Sequence, residues 1–151
     1  MAEIDLNQAT TKWQLPFLIP GQAQKEVTVN EAFARIDSLL SLAVAGVSAN
    51  PPPEPYEGEA WLVSSEASGV WAGQVDRVAV CIGSAWQFYS PHPGMQVLNE
   101  QTGQYLYCFQ GWQTSSEPAS PSGGETVDIE ARASIDAIID ALRNSGIFPR
   151  N

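Results

Sequence analysis

Residues Trp13 to Asp37 read WQLPFLIPGQAQKEVTVNEAFARID, and the rest of the chain is arranged around them. The first part, Leu15-Pro16-Phe17-Leu18-Ile19-Pro20, is bulky, apolar and held by two prolines. Each proline fixes its own φ and pushes the preceding residue towards extended geometry, so an extended, partly buried arm is expected. Gly21 offers a turn, and Gln22-Ala23-Gln24-Lys25-Glu26 leads to Thr28. Thr28 with Glu31 three residues on is a capping-box candidate, and Asn30 is the competing cap. From there Ala32, Phe33, Ile36, Leu39, Leu40 and Ala43 recur at helical spacing, and Gly46 is the latest plausible end. An apolar arm delivered into an amphipathic helix is a packing device, for its own core or for a neighbouring subunit. Leu15, Phe17, Leu18, Ile19, Phe33, Ile36 and Leu39 are therefore the candidate anchoring and assembly residues.

Outward from this stretch, residues 1 to 12 are polar, with Ile4 and Leu6 alternating against Asp5 and Asn7, as in a short strand or an arm that orders on a partner. Residues 42 to 48, LAVAGVS, either extend the helix or leave it as a strand. Pro51-Pro52-Pro53-Glu54-Pro55 reads as a stiff spacer. Between residues 58 and 113 the pattern changes to short strands rich in β-branched and aromatic residues, around 60–63, 77–82, 86–89, 95–98 and 104–109. Gly83-Ser84, Pro93-Gly94, Thr102-Gly103 and Gln110-Gly111 punctuate them. A faint echo links Cys81-Ile82-Gly83-Ser84-Ala85-Trp86-Gln87 to Cys108-Phe109-Gln110-Gly111-Trp112-Gln113: strand, glycine turn, Trp-Gln.

Residues 114–124 are small, polar and rich in Pro and Gly, which predicts a flexible linker. Residues 125–144 then read as a helix with Ala131, Ile135, Ile138, Ile139 and Leu142 on one face and Gly146 as its stop. A single helix beyond a linker has little stability of its own, so it must pack on something. Ala131, Ile135, Ile138 and Leu142 have the spacing of a coiled-coil seam; docking on the same subunit's sheet is the other reading. The expected fold class is α+β: an N-terminal extended arm and helix, a small antiparallel β-sheet or barrel, and a C-terminal oligomerising helix. The expected divisions are an arm and helix at 1–50 in one domain with a β module at 51–113, a linker at 114–124 and the helix at 125–151.

Composition narrows the function classes. With 151 residues, 44% of them hydrophobic, the chain has enough material for one domain with a real core. A formal net charge of -10 and seven scattered basic residues argue against a nucleic-acid partner. The first residues, MAEIDLNQATT, have neither the basic start nor the apolar run of a signal peptide, and no segment approaches the ~20 apolar residues that span a bilayer, so membrane insertion is not expected. Cys81 and Cys108 fit reduced thiols buried in strands, with a disulfide as the alternative. Two cysteines and one histidine do not make a zinc site, and no metal or other cofactor is expected.

Catalysis needs a nucleophile with its base, a carboxylate pair or a metal. The sole histidine, His92, sits in the turn Ser90-Pro91-His92-Pro93-Gly94, and none of the glycine-loop, Gly-x-Ser-x-Gly or His-Glu-x-x-His motifs occurs, so no catalytic residue is assigned and a non-enzyme is expected. Of the five tryptophans, Trp13 and Trp61 read as core. Trp71, Trp86 and Trp112, beside turns, read either as core or as exposed platforms for a sugar ring, with Tyr89 or Tyr105 assisting. Trp71, Trp86, Tyr89 and Trp112 are thus the candidate glycan-binding residues.

The segment LPFLIPGQAQKEVTVNEAFARID, with PPPEPYEGEAWLV, GVWAG, GSAWQFYSPHPGMQV and the final Gly111-Trp112, resembles a domain-of-unknown-function family of alphaproteobacterial tailed phages, prophages and gene transfer agents, over roughly residues 10 to 113. In that family the LPFL…GQAQKE…NEA…D string opens a small module on tail-fibre and head-spike proteins. The resemblance implies a virion structural protein, made and assembled in the host cytoplasm, that forms a homo-oligomer (a trimer by analogy with fibres) and attaches to other virion proteins of capsid, tail or fibre. Ala131, Ile135, Ile138 and Leu142 are then the oligomerisation candidates, and the β module a spacer or host-surface contact. An adaptor to which another protein attaches, and a module that binds host capsule or lipopolysaccharide, are the further readings.

Overall fold

The structure, a computed structural model, describes residues 9, 10, 13, 15–18, 20–40 and 42–150. The expected strand around Ile4 and Leu6, and the candidate anchor Ile19, lie outside the described residues. The chain divides into two compact units, Met1–Leu42 and Ala43–Asn151.

In the first unit Ala9 and Pro16 form an antiparallel bridge. The Thr10 amide donates to the Leu15 carbonyl at 2.9 Å, and the Leu15 amide donates to Thr10 Oγ1 at 2.9 Å. Helix α1 spans Lys25–Leu39 and begins three residues before the expected cap at Thr28. Lys25 and Glu26 are good helix formers, and Gln24, with φ 54°, turns the chain into the first turn without a side-chain cap. Thr28 Oγ1 instead accepts from Gln22 Nε2 at 2.6 Å, and Glu31 pairs with Arg35 one turn on at 3.1 Å. The helix ends at Leu39, ahead of Ala43, because Leu40 is already extended. It buries none of its side chains.

Among the described residues the second unit holds eight strands, β1 (Ala43–Val44), β2 (Val47–Ser48), β3 (Ala60–Val63), β4 (Val78–Ile82), β5 (Ala85–Tyr89), β6 (Gln96–Asn99), β7 (Gln104–Cys108) and β8 (Trp112–Gln113), followed by helix α2 (Ile129–Asn144). They form two four-stranded sheets, ordered β2-β3-β4-β5 and β1-β6-β7-β8. The fold class is α+β. The module is not purely antiparallel, however: β2 runs parallel to β3 and β1 parallel to β6. These two short strands come from neighbouring residues of one segment, so residues 43–48 belong with the β module, and the second unit begins at Ala43.

The sequence echo is a structural duplication. Each sheet consists of one short parallel strand and an antiparallel meander of three. Pro55-Tyr56-Glu57-Gly58 and Pro91-His92-Pro93-Gly94 are matching turns: the Glu59 amide donates to Tyr56 O at 3.1 Å, and that of Met95 to His92 O at 3.0 Å. The Gly58 and Gly94 amides donate to Cys81 O and Cys108 O, each at 2.8 Å. Cys81 and Cys108 donate back to Glu59 O and Met95 O, each at 2.9 Å. Both glycines need positive φ, 82° and 87°, which explains why this residue recurs at the head of each meander. In both units the cysteine faces the tryptophan across the strand pair, Cys81 with Trp86 and Cys108 with Trp112. Both thiols are free and buried.

The first sheet buries residues on both faces. Leu62, Val78 and Val80 fill one. On the other, Val63 and Ala79 join Trp71 from a short 3-10 turn at Gly69–Trp71, packed by Trp61, Ala67, Trp86 and Phe88. In the second sheet Val97, Asn99, Gln104, Leu106 and Cys108 face inward, and Tyr105 and Tyr107 outward. Trp112 Nε1 donates to the Asp76 carbonyl at 2.8 Å, tying the second meander to the loop before β4.

Helix α2 starts at Ile129, four residues later than expected, because Asp128 supplies the cap: its Oδ1 accepts the Ala131 amide at 2.8 Å. It ends where expected. Gly146, at φ 75°, lets the Ile147 amide reach back to Leu142 O at 2.9 Å and its own amide to Arg143 O at 3.0 Å, which is the Schellman arrangement. The segment 114–124, expected as a flexible linker, is pinned at its start. Ser115 O accepts from Gln104 Nε2 at 2.7 Å, and Glu117 takes a two-point ion pair from Arg143, one bond of which, from Nε, measures 2.7 Å. Helix α2 therefore belongs to the same unit as the sheets rather than standing apart.

Candidate functional site

The predicted site residues fall into three groups. In the first unit, Leu15, Ile36 and Leu39 come together with Trp13 and Leu40 around an apolar cleft of about 140 Å³. Phe17, Leu18 and Phe33 are not part of it, and Phe33 is 63% exposed. Phe33 and Ile36, one turn apart on α1, and Leu40, just beyond the helix end, are all left exposed, and the helix buries no side chain.

On helix α2 the expected seam is split. Its neighbour Ile139 is buried and Leu142 half-buried by the subunit's own packing, while Ala131, Ile135 and Ile138 remain exposed. Docking on the same subunit therefore takes up the C-terminal half of the apolar face and leaves the rest.

Of the tryptophan candidates, Trp71 is closed off from any ligand. Trp71 is 0% exposed and meets Trp86 edge to face, with ring centroids 5.1 Å apart. It is core, because a thin sheet face needs bulk to close it. Trp86, Tyr89 and Trp112 are half-buried, and the Trp112 indole N–H is already taken by Asp76.

A different arrangement is built on the second sheet. Tyr105 and Tyr107 alternate outward along β7, and Gln96 lies opposite Tyr107 across the strand pair, so the three side chains share one face. With Ser115, Ser145 and Ile147 they line a cleft of about 400 Å³. Its rims come from the start of the 114–124 segment and the end of α2, and one buried amide holds both: Gln104 Nε2 donates to Ser115 O at 2.7 Å and to Ile147 O at 2.8 Å. Tyr105 is positioned by Gly146, where a Cβ would come within 2.8 Å of the tyrosine ring. The Tyr105 amide donates to Gly146 O at 2.7 Å, so the tail covers the edge of β7 that β8 leaves free. The signal in sequence is the strict alternation Gln104-Tyr105-Leu106-Tyr107-Cys108-Phe109, with Gln, Leu and Cys inward and the aromatics outward. Tyr107 and Gln96 carry no local signal of their own, since only the pairing of β6 with β7 brings them together.

Among the described residues no group of three or more His, Cys, Asp or Glu is placed to hold a metal ion, and no helix is long and apolar enough to cross a membrane.

A two-sheet α+β module with duplicated meanders is thus what the chain presents. A family described as "Protein of unknown function (DUF2793)" matches residues 29–113, more than half of the chain, and the chain belongs to that family. The match ends with β8, so α2 and the segment before it lie beyond the matched region. No curated protein matches the chain.

Proposed function

We infer that this protein is a non-enzymatic structural subunit of a phage or gene-transfer-agent particle, a head-spike or tail-fibre component that self-associates and takes part in host attachment. The observation that carries the reading is the exposed apolar surface of Phe33 and Ile36 on α1 and Leu40 just after it, which is costly to leave in water and is satisfied by another protein surface. The motif-bearing arm and α1 then serve as the anchor to the particle or to sister chains. The α2 face around Ala131, Ile135 and Ile138 is a second contact between copies, a trimer by analogy with fibres. The second reading, binding of host polysaccharide, is favoured by the aromatic and amide lining of the cleft on β7, in place of the tryptophans.

The test is the solution mass of the full chain by light scattering, beside Phe33→Glu and Ile138→Glu. Phe33 and Ile138 are 63% and 59% exposed, so neither substitution disturbs a subunit's own core. The expected result is an oligomer that dissociates with one or both substitutions while the circular dichroism spectrum is unchanged. A monomer at all concentrations would remove self-association. Failure of an antibody to the chain to label intact particles would remove the virion assignment.

A further inference from the structure

We propose that the cleft formed by Gln96, Tyr105, Tyr107, Ser115, Ser145 and Ile147 is a binding site for a neutral saccharide chain. It deepens the host-contact part of the reading above, but it stands on the cleft itself and does not need the virion assignment.

The cleft is built, not incidental. At about 400 Å³ it falls within the range of small-ligand pockets, ~300–1,000 Å³. Both rims are held by the one buried Gln104 amide, and the Tyr105 ring is held against Gly146. The site therefore exists before a ligand arrives, and little ordering entropy is left to offset binding. Its two aromatic rings, 43% and 39% exposed, lie two residues apart on one strand, about 7 Å at the usual rise. A pair of rings in line suits the C–H faces of consecutive sugar units, with each phenol able to give and take a hydrogen bond. The Gln96 amide and the Ser115 hydroxyl offer donors and acceptors together, and Ser145 Oγ, which donates to Leu142 O at 3.0 Å, adds an acceptor, which is what sugar hydroxyls require.

The ligand class follows from what is committed elsewhere. No lining residue is charged, and Arg143, two residues before Ser145, is engaged by Glu117 and Asp140. With a net charge of -10 on the chain, an anionic saccharide would meet repulsion and no counter-charge. A peptide adding as a strand has no ladder to join, because the Tyr105 amide is bonded to Gly146 and Tyr107 pairs with Gln113. Side-chain recognition of a neutral, ring-shaped, polyhydroxyl ligand is what remains.

The experiment is a titration of the full-length, isotope-labelled protein with neutral oligosaccharides (cello-, malto-, manno- and galacto-oligosaccharides) and with oligogalacturonate as the acidic probe. Expected are saturable NMR shifts centred on Gln96, Tyr105 and Tyr107 with a neutral probe, and binding weakened roughly five- to tenfold in Tyr107→Ala at an unchanged melting temperature. Gln96→Ala, at an exposed position, decides the matter should Tyr107→Ala fail to fold. The proposal is overturned if no neutral probe gives saturable shifts, if binding survives the cleft substitutions, or if oligogalacturonate binds as tightly. Binding lost in Trp86→Ala or Trp112→Ala but kept in Tyr107→Ala would also overturn the cleft, while leaving polysaccharide binding as the wider reading. None of these results touches the self-association test.

Discussion

Replacing Trp71 separates a core residue from a ligand platform. The side chain is 0% exposed, and a buried tryptophan removes about 150–250 Å² from water, which at about 25 cal/mol/Å² is worth ~4–6 kcal/mol. The alanine methyl and partial collapse of the site recover some of this, so Trp71→Ala should cost about 3–5 kcal/mol, a large part of a domain's margin of ~5–15 kcal/mol. With a urea slope of about 2 kcal/mol/M, the midpoint followed by far-ultraviolet circular dichroism should fall by about 2 M. Part of the loss is the edge-to-face contact with Trp86, and a double-mutant cycle should return a coupling of about 0.5–1.5 kcal/mol. Trp71→Phe should behave differently. The indole Nε1 is buried with no hydrogen-bond partner, as is Gln74 Oε1, and removing an unpaired buried donor recovers about 1–3 kcal/mol of desolvation. Phenylalanine should therefore cost about 1 kcal/mol, well below alanine. A midpoint shift under about 0.5 M for Trp71→Ala, or equal costs for the two substitutions, would refute the core assignment. Saccharide binding by folded Trp71→Phe should equal that of the parent.

Two further outcomes concern how α2 is held. Gly146→Ala forces a side chain onto φ 75° and to within 2.8 Å of the Tyr105 ring, so it should cost about 1–3 kcal/mol and speed amide hydrogen exchange at Tyr105, whose donor bond to Gly146 O would loosen. The hydrogen bond from Arg143 holds the Glu117 carboxyl below its ordinary range. A depressed carboxylate stabilises the fold above its unfolded value, about 4.3, and that stability is lost as pH falls through the folded value, so residue-resolved NMR should show the tether between Glu117 and α2 release below the normal glutamate range. Glu117→Gln should abolish that pH dependence; a tether that survives in acid unchanged would show that the ion pair does not hold it.

The match to DUF2793 covers the later part of α1 and the two sheets, with α2 outside the matched residues. Yet the turn that ends α2 supplies Ser145 and Ile147 to the cleft, with Gly146 set against the Tyr105 ring. The rim of the proposed site on that side is thus set by residues that the family match leaves out.

Local chemistry by itself determined the elements. Alternation and aromatic content marked β3 to β7 close to their observed bounds, Gly146 marked the end of α2, and the Gly-Trp echo marked a duplication that the backbone bonds reproduce. These depend on turn propensity and on period, which are properties of neighbours in sequence. Start positions were less legible: α1 begins from Gln24 in a left-handed conformation and α2 from the Asp128 cap, and in both places several residues compete for the same role. What tertiary structure alone decided is partnership. Parallel pairing of β1 with β6 joins residues 43 and 98, Trp71 is buried by strands on either side of it in sequence, and the cleft draws on β6, β7, residue 115 and the end of α2. Pairing, burial and concavity are settled by the free energy of the whole packed unit, to which each of those short segments contributes too little to announce its partner in advance.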